Sequence, residues 1–297
     1  MNFSVAKNSL YPIFLLFSLG FTWGTSFSIA KFAMGNGITP LGYSFWQSLG
    51  PAILVFVFSF LQKRTLPPFN LQHITFYLIC GLLGIALPNL TMYFSATHVP
   101  SGILGLIVNT SPIITYILSI FFLIEKFSWS RFLGIILGFI GLFILFYPKL
   151  SSYLEYKWML FALLTPILLA SCTLYMVKYR PQNTSSLALS SGMLIASTFL
   201  ILPIVISSNS FHPILFPLST PDLFILIEII LSSIGYVLFF ELLKVAGPVF
   251  YSLVGCIVAI AGLFWGYIIF NEYIKSFEWI SISFILIAIY LVSRNKS

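Results

Sequence analysis

The sequence predicts an all-α integral membrane protein of ten transmembrane helices, arranged as two inverted five-helix repeats. Three observations predict it: a composition too apolar for a water-facing surface, ten apolar runs of spanning length, and a gapless register between the two halves. Of 297 residues, 59% are hydrophobic and 7% charged, with a mean hydropathy of +1.05. A soluble domain carries about 25% charged residues to cover its surface. A charged fraction of 7% therefore excludes a cytosolic enzyme, a nucleic-acid-binding domain and a disordered chain.

Roughly 20 apolar residues cross a bilayer core. Runs of about that size fall at Pro12–Met34, Tyr43–Leu61, His73–Ser95, Gly102–Ile124, Arg131–Tyr147, Lys157–Val177, Ser186–Ile206, Pro221–Leu243, Val249–Phe270 and Glu278–Val292. They are continuous rather than alternating, which makes them helices and not barrel strands. The first run is too long for the apolar part of a signal peptide and no small-x-small cleavage site follows, so it is expected to remain as a helix. With the N-terminus inside, the inner loops and tails hold Lys7, Lys63, Arg64, Lys126, Arg131, Lys178, Arg180, Lys244, Arg294 and Lys296. The outer side holds only Lys31, Lys149, Lys157 and Lys275. This asymmetry obeys the positive-inside rule and predicts both termini in the cytoplasm. It also gives the net charge of +7 an ordinary cause. Cys80, Cys172 and Cys256 each lie in an apolar run without CxxC spacing, so neither a disulfide framework nor a zinc site is expected.

A shift of 147 residues lays one half on the other, giving repeats at 1–148 and 149–297. Glu125 then meets Glu272, Lys31 meets Lys178 and Asn36 meets Asn183. Five helices per repeat is an odd number, so the second copy enters the membrane upside down. Inverted repeats are an architecture of secondary transporters, with the substrate bound near the midplane where the halves meet.

The stretch Phe21-Thr22-Trp23-Gly24-Thr25-Ser26-Phe27 followed by Lys31 resembles helix 1 of EamA-type members of the drug/metabolite transporter superfamily. Asn109-Thr110-Ser111-Pro112 through Glu125, then Gly134, Gly138 and Gly141, is similar to that family's helix 4–5 signature, and Glu272 stands at the matching place in the second half. Two features depart from the pattern. Helix 2 has Phe45-Trp46-Gln47-Ser48 where the family often carries an arginine, and Ala259 replaces the second-half counterpart of Pro112. The resemblance implies helices 1–4 and 6–9 around a central cavity, helices 5 and 10 at the periphery, and carriage of small metabolites by alternating access, often as export.

Polar groups inside lipid are costly unless they face protein or water, so the buried ones are site candidates. Glu228 in helix 8 could bind a substrate amine or carry a coupling proton; the alternative is a glutamate reaching toward the outer interface, which Asp222 marks six residues earlier. Asn89 follows Pro88, whose ring frees a backbone carbonyl, and shares a face with Tyr93. Asn109 belongs to a polar break before Pro112. Trp23, Gln47 and Tyr236 complete the candidate cavity wall. Glu125, Glu272, Lys31, Pro88 and Pro112 are expected in structural or gating roles. The small face of helix 5 suits close packing, either on the neighbouring bundle or on a second protomer.

These residues predict a secondary transporter of amino acids or related metabolites in a bacterial inner membrane, acting as a monomer or homodimer. A lipophilic-drug exporter is the alternative. An intramembrane enzyme would lack its machinery: His73, His98 and His212 lie at span ends, with no HExxH, GxSxG or phosphate-loop motif. A channel would want a filter built from symmetric subunits. No cofactor, metal or nucleic acid is expected.

Overall fold

A computed structural model describes residues 10–61, 66–96, 98, 107–147, 156–270 and 276–294. Its regular structure is helical and follows the expected order. The first half contains α1 (Tyr11–Gly35), α2 (Pro40–Leu61), α3 (Leu71–Gly81 and Leu87–Ala96, joined by a π turn at Leu82–Ala86), α4 (Ser111–Phe121) and α5 (Trp129–Phe146). The second contains α6 (Tyr156–Ala162 and Leu164–Tyr179), α7 (Ser186–Ser207), α8 (Thr220–Ala246), α9 (Pro248–Ser252 and Val254–Phe270) and α10 (Ser276–Arg294). Among the described residues, five stretches, in α2, α3, α6, α7 and α8, are long and apolar enough to cross a bilayer.

Local chemistry explains where these helices start and break. Asn70 and Ser185 cap α3 and α7 by accepting from the amides of His73 and Ala188, and Ser219 forms a capping box with Asp222 at the start of α8. Pro88 removes the amide that would bond the Gly84 carbonyl, and the chain absorbs that loss in the π turn directly before it. In the α4 region, Thr110 bonds back to the Ile107 carbonyl through both its amide and its hydroxyl. Pro112 sits buried in the first turn that follows. It therefore stands just after a break between helical residues 107–108 and the helix that starts at Ser111.

The packing repeats when the helix number advances by five. α1 lies along α8 and α9, as α6 lies along α3 and α4; α2 packs on α8, as α7 packs on α3. α2 with α7, and α5 with α10, are pairs that map onto themselves. A duplication whose copies are related by an axis in the membrane plane produces this pattern. α5 and α10 pack mainly on one another, at the edge of the bundle. Their backbones come close because α5 has glycines there: a Cβ at Gly134 would stand 3.0 Å from the Ala288 carbonyl oxygen, and one at Gly141 3.0 Å from that of Ser281. Ser130 and Ser281 cement the contact by donating to the Leu291 and Gly141 carbonyls at 2.8 and 2.6 Å. The glycine face is thus taken by α10, the other peripheral helix, where the sequence suggested the bundle or a second protomer.

Candidate functional site

Three helices carry polar side chains to a common depth. Glu228 is eight residues into α8, Gln47 seven into α2 and Ser26 nine from the end of α1, so each lies roughly 10–14 Å from the same end of the bundle at 1.5 Å per residue. Glu228 is only 1% exposed. It points between helices of both repeats instead of reaching toward the interface, which removes that alternative. Its Oε1 accepts from Ser232 Oγ at 2.5 Å and from Gln47 Nε2 at 3.2 Å. Its Oε2 makes no hydrogen bond within 3.5 Å among the described residues. The hydroxyls of Ser26 and Tyr43 are near neighbours of the carboxyl at looser geometry. No Lys, Arg or His ion-pairs with Glu228 among the described residues.

Asn89 stands beside this group, donating to Ser44 Oγ at 2.9 Å. Ser44, Gln47 and Ser48 share one face of α2, at spacings of three and four. Two turns along α8 from Glu228 the helix packing becomes aromatic. Trp23 packs edge-on against Tyr236 and Tyr251 at 6.1 and 6.4 Å and lies 6.0 Å from Phe239. Gly235 makes room for it, since a Cβ there would stand 2.5 Å from Trp23 Nε1. The structure thus brings together Gln47, Asn89 and Glu228, and separately Trp23 and Tyr236. Asn109 belongs to neither group; its amide oxygen presses on Gly255 of α9. The side chains of Lys31 and Tyr93, and all of Glu272, lie outside the described residues.

Each end of the bundle is closed by its own contacts. At the end nearer Glu228, Thr39 Oγ1 and Trp46 Nε1 donate to the Ser210 and His212 carbonyls at 2.9 and 2.7 Å, and His212 Nε2 lies 2.8 Å from Asp222 Oδ1. At the far end, Arg180 donates to the Phe240 carbonyl and to Ser186 Oγ, both at 3.1 Å. Ser186 in turn donates to Glu241 at 2.6 Å. Burial pushes the Arg180 guanidinium down from its ordinary value, and the Glu241 carboxylate opposes that shift. Glu125 pairs with Arg131 at this end too, and its carboxyl lies beside Gly247.

Sequence reading passed over Ser26, Tyr43 and Ser232, which lie about the carboxyl, and Ser44, which accepts from Asn89. Ser232 was discoverable, since it lies one helical turn from Glu228 on the same face. The Arg180–Ser186–Glu241 network was not, because its members are up to 61 residues apart and meet only through packing.

Comparison with known proteins agrees with this architecture. The EamA-like transporter family matches residues 10–147 and again 156–294. Protein PecM of Dickeya dadantii is 23% identical over 273 residues, 91% of this chain and 88% of its own length. The inner membrane transporter YedA of Escherichia coli is 33% identical over 141 residues, 46% of this chain and 44% of its own. A transporter of Buchnera aphidicola is 26% identical, over 54% of its length, so the chain spans about half of that relative. A solved crystal structure superposes over 96% of both chains with a TM-score of 0.75 at 14% identity, which shows a shared fold. The chain belongs to the EamA-like transporter family, within the drug/metabolite transporter superfamily.

Proposed function

We propose that this membrane protein exports amino acids or closely related small metabolites by alternating access, binding them where α1, α2 and α8 meet. One observation carries the reading: Glu228 is buried between helices of the two repeats with one carboxylate oxygen occupied and the other open. An uncompensated carboxylate at that depth is expensive, and a substrate ammonium or a coupling proton relieves the cost. Gln47, Asn89 and the neighbouring serines supply hydrogen bonds for the rest of a zwitterion, and Trp23 and Tyr236 an apolar wall. The two closed ends act as gates that open in alternation. The bacterial inner membrane, with both termini cytoplasmic, is the proposed setting; the Lys and Arg distribution and YedA's described location support it.

The test is uptake and counterflow of a radiolabelled amino-acid panel in proteoliposomes, comparing wild type with Asn89→Ala and Glu228→Gln. Saturable exchange of one compound, impaired in both variants, is the expected result. Silence across the panel with intact, correctly inserted protein overturns the amino-acid assignment.

A further inference from the structure

The bundle is not closed in the same way at its two ends. Residues 208–219, which connect α7 to α8, cross the start of α2 as a strap at the end nearer Glu228. Thr39 Oγ1 and Trp46 Nε1 hold the strap by two of its main-chain carbonyls, those of Ser210 and His212, at 2.9 and 2.7 Å. Between these carbonyls the Phe211 ring stands 5.7 Å from that of Phe45 and 6.2 Å from that of Trp46. Gly42 is the seat, since a Cβ there would stand 2.5 Å from the Ser210 carbonyl oxygen. Beneath the strap, Ile38, Tyr43, Ile225 and Ile229 belong to a small apolar cluster separate from the main core, and Ile214 of the strap packs against it. Ile225 and Ile229 flank Glu228 on α8, and Tyr43 neighbours its carboxyl. The far end is built otherwise: Phe240, whose carbonyl Arg180 holds, and the following Leu242 and Leu243 are part of the main core.

We propose that Glu228 is reached from the end nearer to it, by release of the 208–219 strap, and that Thr39 and Trp46 are the latch. Proteins open first where a segment buries least apolar surface of its own. Parting two hydrogen bonds, one aromatic contact and a small cluster uncovers the carboxyl while the main core stays shut, whereas entry from the far end would breach that core. Trp46 is a positioning residue, because it holds the strap and not the ligand. Its neighbour Gln47 donates to Glu228 Oε1, so one turn of α2 grips both the strap and the carboxyl. This deepens the reading of Glu228 as a substrate-binding group and rests on it.

The test measures how fast a water-soluble carbodiimide with a quaternary ammonium tail modifies Glu228. It is read by mass spectrometry of the Glu228 peptide from the full chain in lipid nanodiscs, which leave both ends open to water, with Glu228→Gln as the unlabelled control. Trp46→Phe keeps a ring and loses the donor, and Gly42→Ala pushes the strap off its seat. Labelling is expected to run about threefold to tenfold faster in the first, the worth of one hydrogen bond, and about tenfold or more faster in the second. Ser186→Ala, which breaks the network at the far end, is expected to keep the wild-type rate. Cys80, Cys172 and Cys256 all belong to the main core, so their reaction with a maleimide in the same samples should stay slow. Latch variants labelled no faster than wild type overturn the proposal. So does faster labelling in Ser186→Ala alone, which would bring the ligand in from the far end. Thiols that react in step with Glu228 overturn it too, since the whole bundle would then be loosening. Strap-controlled labelling with vesicles silent to the amino-acid panel would instead overturn the transport reading and leave the strap standing.

Discussion

Gly81 of α3 and Glu228 of α8 occupy the same place in the two repeats, 147 residues apart, and the glycine offers a direct measure of how tightly the α3–α7 junction is built. A Cβ at Gly81 would stand 2.9 Å from the Ser197 amide nitrogen, 3.0 Å from the Met193 carbonyl oxygen and 3.3 Å from the Ala196 carbonyl carbon. All three are backbone atoms of α7, so no rotamer change relieves the contact. Non-bonded heavy atoms settle at about 3.5–4.0 Å, so α3 must retreat by roughly half an ångström or more, and such a gap forfeits a quarter or more of each dispersion contact along the junction. Overpacking of this kind costs about 1–3 kcal/mol. Gly35, at the end of α1, has nothing within 4 Å of the same added atom. There, alanine gains up to about 1 kcal/mol of helix propensity. Gly81→Ala is therefore expected to lower, and Gly35→Ala to hold or raise, the midpoint of thermal unfolding, by roughly 2–4 °C per kcal/mol. A thiol-reactive fluorophore in detergent reads it, because Cys80, Cys172 and Cys256 are all free and buried until the bundle opens. A Gly81→Ala protein as stable as wild type would refute the close-packed junction.

Glu228→Gln removes a buried charge whose Oε2 has no hydrogen-bond partner among the described residues, so it should raise stability by about 1 kcal/mol or more while abolishing exchange; a lower unfolding midpoint would contradict the costly buried carboxylate. Glu241→Gln removes the charge that supports the Arg180 guanidinium through Ser186 and that pairs with Lys244 at 3.3 Å, and is expected to cost about 1 kcal/mol in the same assay, as partly exposed charge pairs do. For Glu125 and Arg131, a double-mutant cycle with glutamine at each position should give a coupling of about 1 kcal/mol or more, and additive losses would show the pair to be incidental. A fluorescent protein fused after Ser297 should fold and fluoresce if the C-terminus is cytoplasmic, whereas alkaline phosphatase activity at the same place would reverse the orientation.

Much of this protein was written in one dimension. Composition alone excluded a water-facing surface, because solvation of charge is a property of residue counts. The spans followed from the bilayer's fixed thickness, and the duplication followed from a register that pairs Glu125 with Glu272. Breaks at Pro88 and Pro112 were also legible, since a missing amide is a local fact. What the sequence could not supply is which helix faces which. Gln47 and Glu228 lie 181 residues apart and meet only because α2 and α8 pack together, and Asn109 left the expected cavity wall for Gly255 because α4 packs near α9. Side-chain partners across helices depend on rotation about each axis, which in a bundle apolar all round is set by small residues such as Gly81, Gly134 and Gly235 finding their seats. That geometry also decided which carboxylate oxygen is occupied and which is left open, a distinction between two atoms of one residue that only tertiary structure can make.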